Sequence, residues 1–432
     1  MELLTLDTSH EEPLTETHTM RPEWLVLLLL TGLLSGCLWE APPEEVDVIE
    51  THEGPHATTT PLVNNTDAVP VTANIRILNI DGDATSEVVF AEPMEGRIAW
   101  IDSECIPDCE NLTTIENLGS PVRVAAADLD GNGINEIIVS DIGQLFPSND
   151  LVGRILKINA TGDVSVLADG LGRTVCAEPA DLDADGDLDL TLCEFGHDEG
   201  SVGWLEQGDT GWTHHVLDPR PGAIHAIPAD IDGDGDLDIV AAVSQTVEQL
   251  MLYRNDGDGS FTNEILFDAQ TEHHGTSGID LVDVDGDGDL DIVATNGDAM
   301  DWNLPDDIHP SDIHGLSILT NDGNGSFTRD EIVGVWGAYA STMHDVNQDG
   351  NLDIVLVCIQ IPQQFPEIER TPLLILERNG TNWDRIDVDM DEIDHMITIV
   401  STGEHLLVGS HAPSSPEGGV NRLAMLTIIT PE

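Results

Sequence analysis

Six times this chain repeats a nine-residue stretch in which carboxylates alternate with small or apolar residues and the last position is acidic. The copies are 79–87 (NIDGDATSE), 128–136 (DLDGNGINE), 181–189 (DLDADGDLD), 230–238 (DIDGDGDLD), 283–291 (DVDGDGDLD) and 345–353 (DVNQDGNLD). Their starts lie 49, 53, 49, 53 and 62 residues apart, a period at which one supersecondary unit recurs around a ring or along a solenoid. Each copy is flanked by strand-forming sequence, as in 122–127 (VRVAAA) before the second and 136–139 (EIIV) at its end. Each therefore reads as a hairpin with an acidic turn.

A second strand pair follows each hairpin, as in 153–158 (GRILKI) with 163–167 (DVSVL), and 249–253 (QLMLY) with 260–267 (SFTNEILF). Four short strands per period, joined by Gly, Asn and Asp turns, predict the blade of a propeller. The turns 255–260 (NDGDGS) and 321–326 (NDGNGS) read as hairpin connections, since Asp-Gly between strands is first a turn signal. A further unit without a loop is expected at 404–410 and 421–429. It lacks its last strand, and an open edge is a liability, so residues around Leu62 to Val71 are expected to complete it. The expected fold is an all-β, seven-bladed β-propeller, with acidic loops in six blades.

Carboxylates crowded this closely repel one another unless a cation sits among them. Calcium is a hard cation that takes six to eight oxygens in a flexible shell, and Gly after the fifth position permits the turn that aims alternate side chains inward. Magnesium demands a smaller, near-octahedral site and suits these loops less. Calcium, at about six sites, is the expected cofactor.

The DxDxDGxxD loops, each running into a strand, resemble the FG-GAP or VCBS repeat proteins, whose propeller is similar to that of integrin α subunits. The resemblance covers about residues 70 to 432. In that family positions 1, 3, 5 and 9 offer side-chain oxygens to calcium and position 7 a carbonyl. It implies as ligands Asn79, Asp81, Asp83 and Glu87; Asp128, Asp130, Asn132 and Glu136; Asp181, Asp183, Asp185 and Asp189; Asp230, Asp232, Asp234 and Asp238; Asp283, Asp285, Asp287 and Asp291; and Asp345, Asn347, Asp349 and Asp353. The first loop departs from the pattern, with Asn79 at position 1 and Ala84 where Gly is usual.

The 432 residues hold 82 Asp and Glu against 14 Lys and Arg, and Lys157 is the single lysine. The six loops account for 24 of the acids, so calcium does not explain the whole charge. Such a surface disfavours nucleic acid and anionic membrane and keeps a chain soluble. Near the start, 20–24 (MRPEW) leads to the apolar run 25–34 and then Ser35, Gly36 and Cys37. The run is too short to span a bilayer and fits a signal segment. Leu34 to Cys37 resembles a lipobox, with Cys37 lipidated. The expected organisation is an extension over 1–19, a lipoprotein signal over 20–36, a Pro/Thr-rich acidic tether over 37–70, and the propeller over 71–432. Export permits disulfides: Cys105 and Cys109 are placed to close a small loop, Cys176 and Cys193 to form either a bridge or a thiol pair, and Cys358 to be a core thiol.

Irregular sequence collects at the connections opposite the acidic loops, where a grafted site is expected. The longest, 296–314, carries Asp298, Asp301, Trp302, His309 and His314; Trp beside carboxylates suits a sugar ring. Trp302, Asp298, Asp301, His225 and His314 are the ligand-binding candidates. His197, His225, His273, His274, His309, His314 and His411 are expected on the same face, although no fixed spacing marks a transition-metal site. Glu178 and Asp280, at matching inner-strand positions, are either channel carboxylates or an acid/base pair. Trp212, Phe261, Phe327 and Trp383 recur at one strand position and read as core. The expected function is that of a calcium-stabilised, lipid-anchored cell-surface adhesion or recognition propeller, exported to the outer face of the cell membrane, that binds an extracellular protein or glycan. The alternative is a carbohydrate-active enzyme resembling a polysaccharide lyase.

Overall fold

Every acidic loop closes a hairpin whose outgoing strand is buried along nearly its whole length. The six are Glu87–Glu92, Glu136–Asp141, Asp189–Glu194, Asp238–Ser244, Asp291–Asn296 and Asp353–Cys358. Runs such as EIIV place an apolar side chain on both faces of the strand, so these strands are stable only between two other layers. The computed structural model describes residues 54–63, 71–245, 247–298, 304, 308–360, 367–390, 396–410 and 423–429. The chain divides into two units, Met1–Thr51 and His52–Glu432, and all of the described residues lie in the second.

The strands form antiparallel meanders. The first sheet is Asn74–Leu78, Glu87–Glu92, Arg97–Asp102 and Thr113–Glu116; the second is Pro121–Ala127, Glu136–Asp141, Gly153–Ile158 and Val164–Leu171. The third carries five strands because its inner strand is broken into Thr174–Cys176 and Pro179–Ala180, both paired with Asp189–Glu194. The fourth is Ala223–Ala229, Asp238–Ser244, Glu248–Asn255 and Phe261–Asp268, and the fifth is Thr276–Val282, Asp291–Asn296, Gly315–Asn321 and Phe327–Gly334.

First strands touch first strands. Asn74–Leu78 lies against Pro121–Ala127, and the contacts run on through Thr174–Cys176, Ala223–Ala229, Thr276–Val282, Ala338–His344 and Met396–Ser401, which returns to Asn74–Leu78. A ring of meanders with inner strands at its axis is a β-propeller. Last strands lie outermost and are largely exposed, as in Val164–Leu171 and Phe261–Asp268. The core is divided among the seams. One cluster joins the first and second sheets through Val89, Ile98, Ile137 and Ile158, and another joins the third and fourth through Val202, Trp204, Ile239 and Tyr253. Trp212, Phe261, Phe327 and Trp383 pack onto four different clusters as half-buried seam residues, in agreement with their reading as core.

Seven separate four-stranded sheets are not what forms. Five sheets have the size of a single blade, and the two units expected last are fused into one eight-stranded sheet. The cause is a single strand, His56–Pro61. It pairs antiparallel with Leu423–Ile429 over its whole length, and its first two residues also pair parallel with Asp389 and Met390. The closing strand therefore lies ahead of the segment around Leu62 to Val71 expected to supply it, and within the stretch expected as tether. Leu62 still contributes, donating its N–H to the Leu423 carbonyl at 3.0 Å.

Ala57 is buried in the cluster beneath this sheet, so the closing strand covers core as well as satisfying an edge. Deleting residues 54–61 should lower the thermal midpoint by well over the few degrees that ~1 kcal/mol represents. Circular dichroism melts measure this, and an unchanged midpoint would refute the role given to the strand.

Candidate functional site

The acidic loops share one internal wiring. In five of the six loops the position 5 N–H bonds back to the position 3 side chain, as Asp83 does to Asp81 at 3.0 Å and Asp185 to Asp183 at 3.1 Å. The position 7 N–H bonds to position 5 in all six loops, from Thr85 on Asp83 at 2.7 Å to Asn351 on Asp349 at 2.8 Å. Such turns fold short polar side chains back on their own backbone and bring alternate carboxylates to one side. Position 6 takes a left-handed conformation wherever it is Gly, with φ of +98° at Gly186 and +103° at Gly288; Ala84 in the first loop does not.

Position 9 behaves differently from positions 1, 3 and 5. Its carboxylate is buried in every copy, from 0% exposed at Asp189 to 6% at Glu87. One oxygen accepts the position 2 N–H in all six loops, for example Leu182 on Asp189 at 3.0 Å and Val284 on Asp291 at 2.9 Å. In four loops the other oxygen accepts an N–H at the end of the same sheet's third strand: Gln207 on Asp189, Asn255 on Asp238, Asn321 on Asp291 and Arg378 on Asp353, at 2.8 to 2.9 Å. The side chains of those four residues then cross the seam to the position 2 carbonyl of the preceding loop. Asn255 reaches Leu182 at 2.7 Å, Asn321 reaches Ile231 at 2.9 Å, Gln207 reaches Leu129 at 3.3 Å, and Arg378 reaches Val284. The loops thus link neighbouring sheets whether or not a cation is bound.

Three carboxylates converge, with oxygens within 4.8 Å of one another, in five loops: Asp81, Asp83 and Glu87; Asp128, Asp130 and Glu136; Asp181, Asp183 and Asp189; Asp230, Asp232 and Asp234; and Asp283, Asp285 and Asp291. The sixth loop shows no such convergence among the described residues, since Asn347 stands where the others have a carboxylate. These all-oxygen sets could hold a metal ion. Two carboxylate oxygens there, Asp181 Oδ1 and Asp232 Oδ1, are buried with no hydrogen-bond partner, an arrangement that a cation relieves. Two ligand candidates are also held by bases, Asp232 with Arg254 Nη1 2.7 Å from its other oxygen and Glu136 with Lys157 Nζ at 3.7 Å. Burial pushes the carboxyls of Asp189 and Asp238 up to about 6 from 3.8, and the neighbouring loop carboxylates push the same way.

At the propeller axis the structure answers the question posed by Glu178 and Asp280. Glu178 is taken up by Arg76 across the axis, Nη1 to Oε1 at 2.9 Å and Nη2 to Oε2 at 3.3 Å; its charge in turn raises the guanidinium pKa of Arg76. A second pair crosses from the second sheet to the fourth, where Arg123 lies against both ring nitrogens of His225 at 2.9 and 3.2 Å. Burial first, and then Arg123, lowers His225 well below 6.5, so the ring is neutral. Asp280 is open to solvent within the bore, and the surrounding walls push its carboxyl up to about 6 against the pull of Arg76 and Arg123. Glu178 and Asp280 are therefore not a matched pair, because one is fixed in an ion pair.

The remaining candidates do not assemble as expected. His225 is at the axis, while His314 is 1% exposed, bonded to the His273 carbonyl at 3.2 Å and lowered by burial to about 4. It is a neutral core histidine. His274 packs against Phe267 and Thr276. No histidine joins a metal-capable cluster among the described residues. Asp298 donates its N–H to the Gly275 carbonyl at 2.9 Å. Asp301, Trp302, His411 and Cys37 lie outside the described residues. Cys105 with Cys109 and Cys176 with Cys193 form disulfides, and Cys358 is unbridged and buried. Sequence reasoning missed the axial arginines and the four seam-crossing residues. The latter carry a findable signal, because each lies two residues past the partner of the residue after position 9.

The family model of the FG-GAP-like repeat matches residues 181–241 and 230–294. No curated protein matches the sequence. Among solved structures the chain is similar to the WD40 β-propeller domain of Doa1, with 10% identity over 83% of this chain and 96% of that chain and a TM-score of 0.45. It is similar also to the periplasmic gluconolactonase PpgL of Pseudomonas aeruginosa, with 14% identity over 71% and 83% and a TM-score of 0.44. A luciferin-regenerating enzyme matches with 10% identity over 76% and 100% and a TM-score of 0.42.

Two outcomes follow from this geometry. Asn321→Ala leaves the Ile231 and Leu290 carbonyls without the amide that now serves both, and should cost about 2 kcal/mol in chemical denaturation, the size of a buried acceptor left unsatisfied; an effect below about 0.5 kcal/mol would refute the seam link. For Asp189 and Asp238, a folded pKa raised from 3.8 to about 6 means that the folded state holds the proton more tightly than the unfolded one. Their contribution is full below the unfolded value and is lost as pH rises through the folded one. In chelating buffer the melting midpoint should therefore be higher near pH 5 than near pH 7, and excess calcium should remove that difference.

Proposed function

We infer that this chain, an FG-GAP repeat propeller, is a noncatalytic, calcium-stabilised recognition module held at the outer face of the cell membrane through a lipidated Cys37. The observation that carries the calcium reading is the convergence of three carboxylates in five loops, together with the partnerless buried oxygens of Asp181 and Asp232. All donors are hard oxygens on short turns with surface-exposed outer positions, which suits an ion that tolerates a flexible shell of six to eight ligands. Asp81, Asp83 and Glu87 would hold one ion with Asn79, and the corresponding residues of the other loops would hold theirs. The sixth loop, with Asn347, is the weakest of the set.

In this reading the eight-stranded sheet counts as two blades, giving seven in all. Its halves bury a shared cluster, with Val355, Ile375 and Val388 on one side and Met396, Val408 and Leu426 on the other, as neighbouring sheets do elsewhere in the ring. The partner is an extracellular protein or glycan, bound on the face opposite the loops, where the irregular connections lie. Trp302, with Asp298 and Asp301, is the recognition element in this reading. The Arg76 ion pair on Glu178 favours recognition over the carbohydrate-active alternative, because it withdraws one member of the acid/base pair that catalysis would use.

The test is a glycan and secreted-protein array probed with the exported chain. A ligand should be retained in calcium, lost on chelation and lost on Trp302→Ala, while chelation alone lowers the melting midpoint by mass action, ~2.7 kcal/mol per site at a hundredfold excess of ion over its Kd. A midpoint indifferent to chelator ends the calcium reading. Turnover of a bound glycan ends the noncatalytic one.

A further inference from the structure

Four seams of the ring are crossed by the side chain two residues beyond the partner of the residue after position 9. Gln207 follows Leu205, the partner of Leu190; Asn255 follows Tyr253, the partner of Ile239; Asn321 and Arg378 stand likewise behind Leu319 and Leu376. In the second sheet Ile158 is the partner of Ile137, so the equivalent residue is Ala160. Alanine has no group to reach the Ile80 carbonyl of the first loop, and the link there comes instead from Asn135 Nδ2 to the Asn79 carbonyl at 2.7 Å. At this seam a cleft of about 590 Å³ opens, lined by both Ile80 and Ala160.

A second departure from the repeat meets the same cleft. Between its third and fourth strands the first sheet carries an insertion, residues 103–112, braced by the Cys105–Cys109 disulfide. Its flank supplies Asp102, Cys105 and Glu110 to the rim. The floor is apolar and aromatic, with Trp100, Ile115, Ile137 and Ile158. Trp100 and Ile115 are only partly covered by the seam cluster on which they pack. The lining contains no Lys, Arg or His.

We propose that the cleft between the first and second sheets binds a small organic cation, an ammonium group carried on a compact apolar body. The cavity is within the range of small-molecule sites. An anion is repelled by the rim, and a purely apolar ligand makes no use of the exposed carboxylates of Asp102, which also caps the turn at Glu104, and Glu110. An ammonium meets those carboxylates at the rim, its substituents cover the isoleucine floor, and Trp is the aromatic side chain that best attracts a cation. Asp81, Asp83 and Glu87 of the first loop also line the cleft, whereas Asp102 and Glu110 belong to no acidic loop, so their charge remains when a cation fills that loop. It lies on the loop side of the ring and does not depend on the recognition face proposed above.

The whole surface is acidic, so the test must separate this cleft from general attraction of cations. Choline is titrated into the full chain in excess calcium at physiological salt, by calorimetry and saturation-transfer NMR, beside its neutral isostere 3,3-dimethylbutan-1-ol. Choline should bind saturably and the isostere about tenfold more weakly or worse, the scale of a desolvated cation–aromatic contact. Ala160→Gln changes no charge, installs the side chain that Gln207 uses at the next seam, and should abolish choline binding while leaving the melting midpoint unchanged or higher. The double variant Asp102→Asn, Glu110→Gln should also lose binding and keep its fold by circular dichroism. Absence of saturable choline binding, equal binding of the isostere, or wild-type binding by Ala160→Gln would each overturn the proposal.

Discussion

The propeller depends on a buried carboxylate at the ninth position of each acidic loop. With one oxygen on the position 2 N–H and, in four copies, the other on an N–H of the third strand, it ties the turn of the hairpin to the strand beside it. A buried charge is costly without partners, and here backbone donors supply them. The same third-strand residue then sends its side chain to the loop of the preceding sheet. One acidic residue therefore fixes the loop, the sheet and, through its neighbour, the seam. The cost of this arrangement is visible in the raised carboxyl pKa of Asp189 and Asp238. The outer loop carboxylates take N–H groups of their own turn, whereas the ninth reaches past the turn to the strand beside it.

Ring closure answers a different constraint. A meander of antiparallel sheets ends in an unpaired edge unless the chain returns to it. His56–Pro61 returns from the beginning of the described chain to the strand at its end, and lies close enough to the neighbouring sheet to pair with that as well. At the axis the inner strands face one another, and the side chains they present there decide whether the bore stays open. Arg76 with Glu178 and Arg123 with His225 each reach across it from sheets that are not adjacent. These cross-axis pairs hold two of the few bases of a chain whose formal net charge is −68.

The loops, the strands around them and the seam aromatics were legible because they repeat. A spacing of alternating carboxylates reports a turn, and a β-branched run after it reports a strand buried on both faces, whatever the rest of the chain does. Cys176 and Cys193 could be placed opposite each other for the same reason, since strand register follows from the distance of each to its loop, although oxidation to a bridge did not follow from that. The ligand candidates were less legible. Irregular sequence places His225 and His314 on one face, whereas His225 belongs to the axis and His314 to the core, because burial at the end of a strand depends on which neighbour covers it.

The sequence by itself determined the local units: hairpins, acidic turns, the order of strands within each sheet and the oxygen donors that a hard cation would meet. These are set by interactions within a few tens of residues, which periodicity records. Only the tertiary structure decided what crosses between units. It chose the strand that closes the ring, paired Arg76 with Glu178, and left the seam at Ala160 without the bridge its neighbours have. Those outcomes join residues 102 positions apart at Arg76 and Glu178 and 373 apart at His56 and Ile429, or turn on the absence of a side chain, and they arise from geometry in the ring that no local spacing encodes.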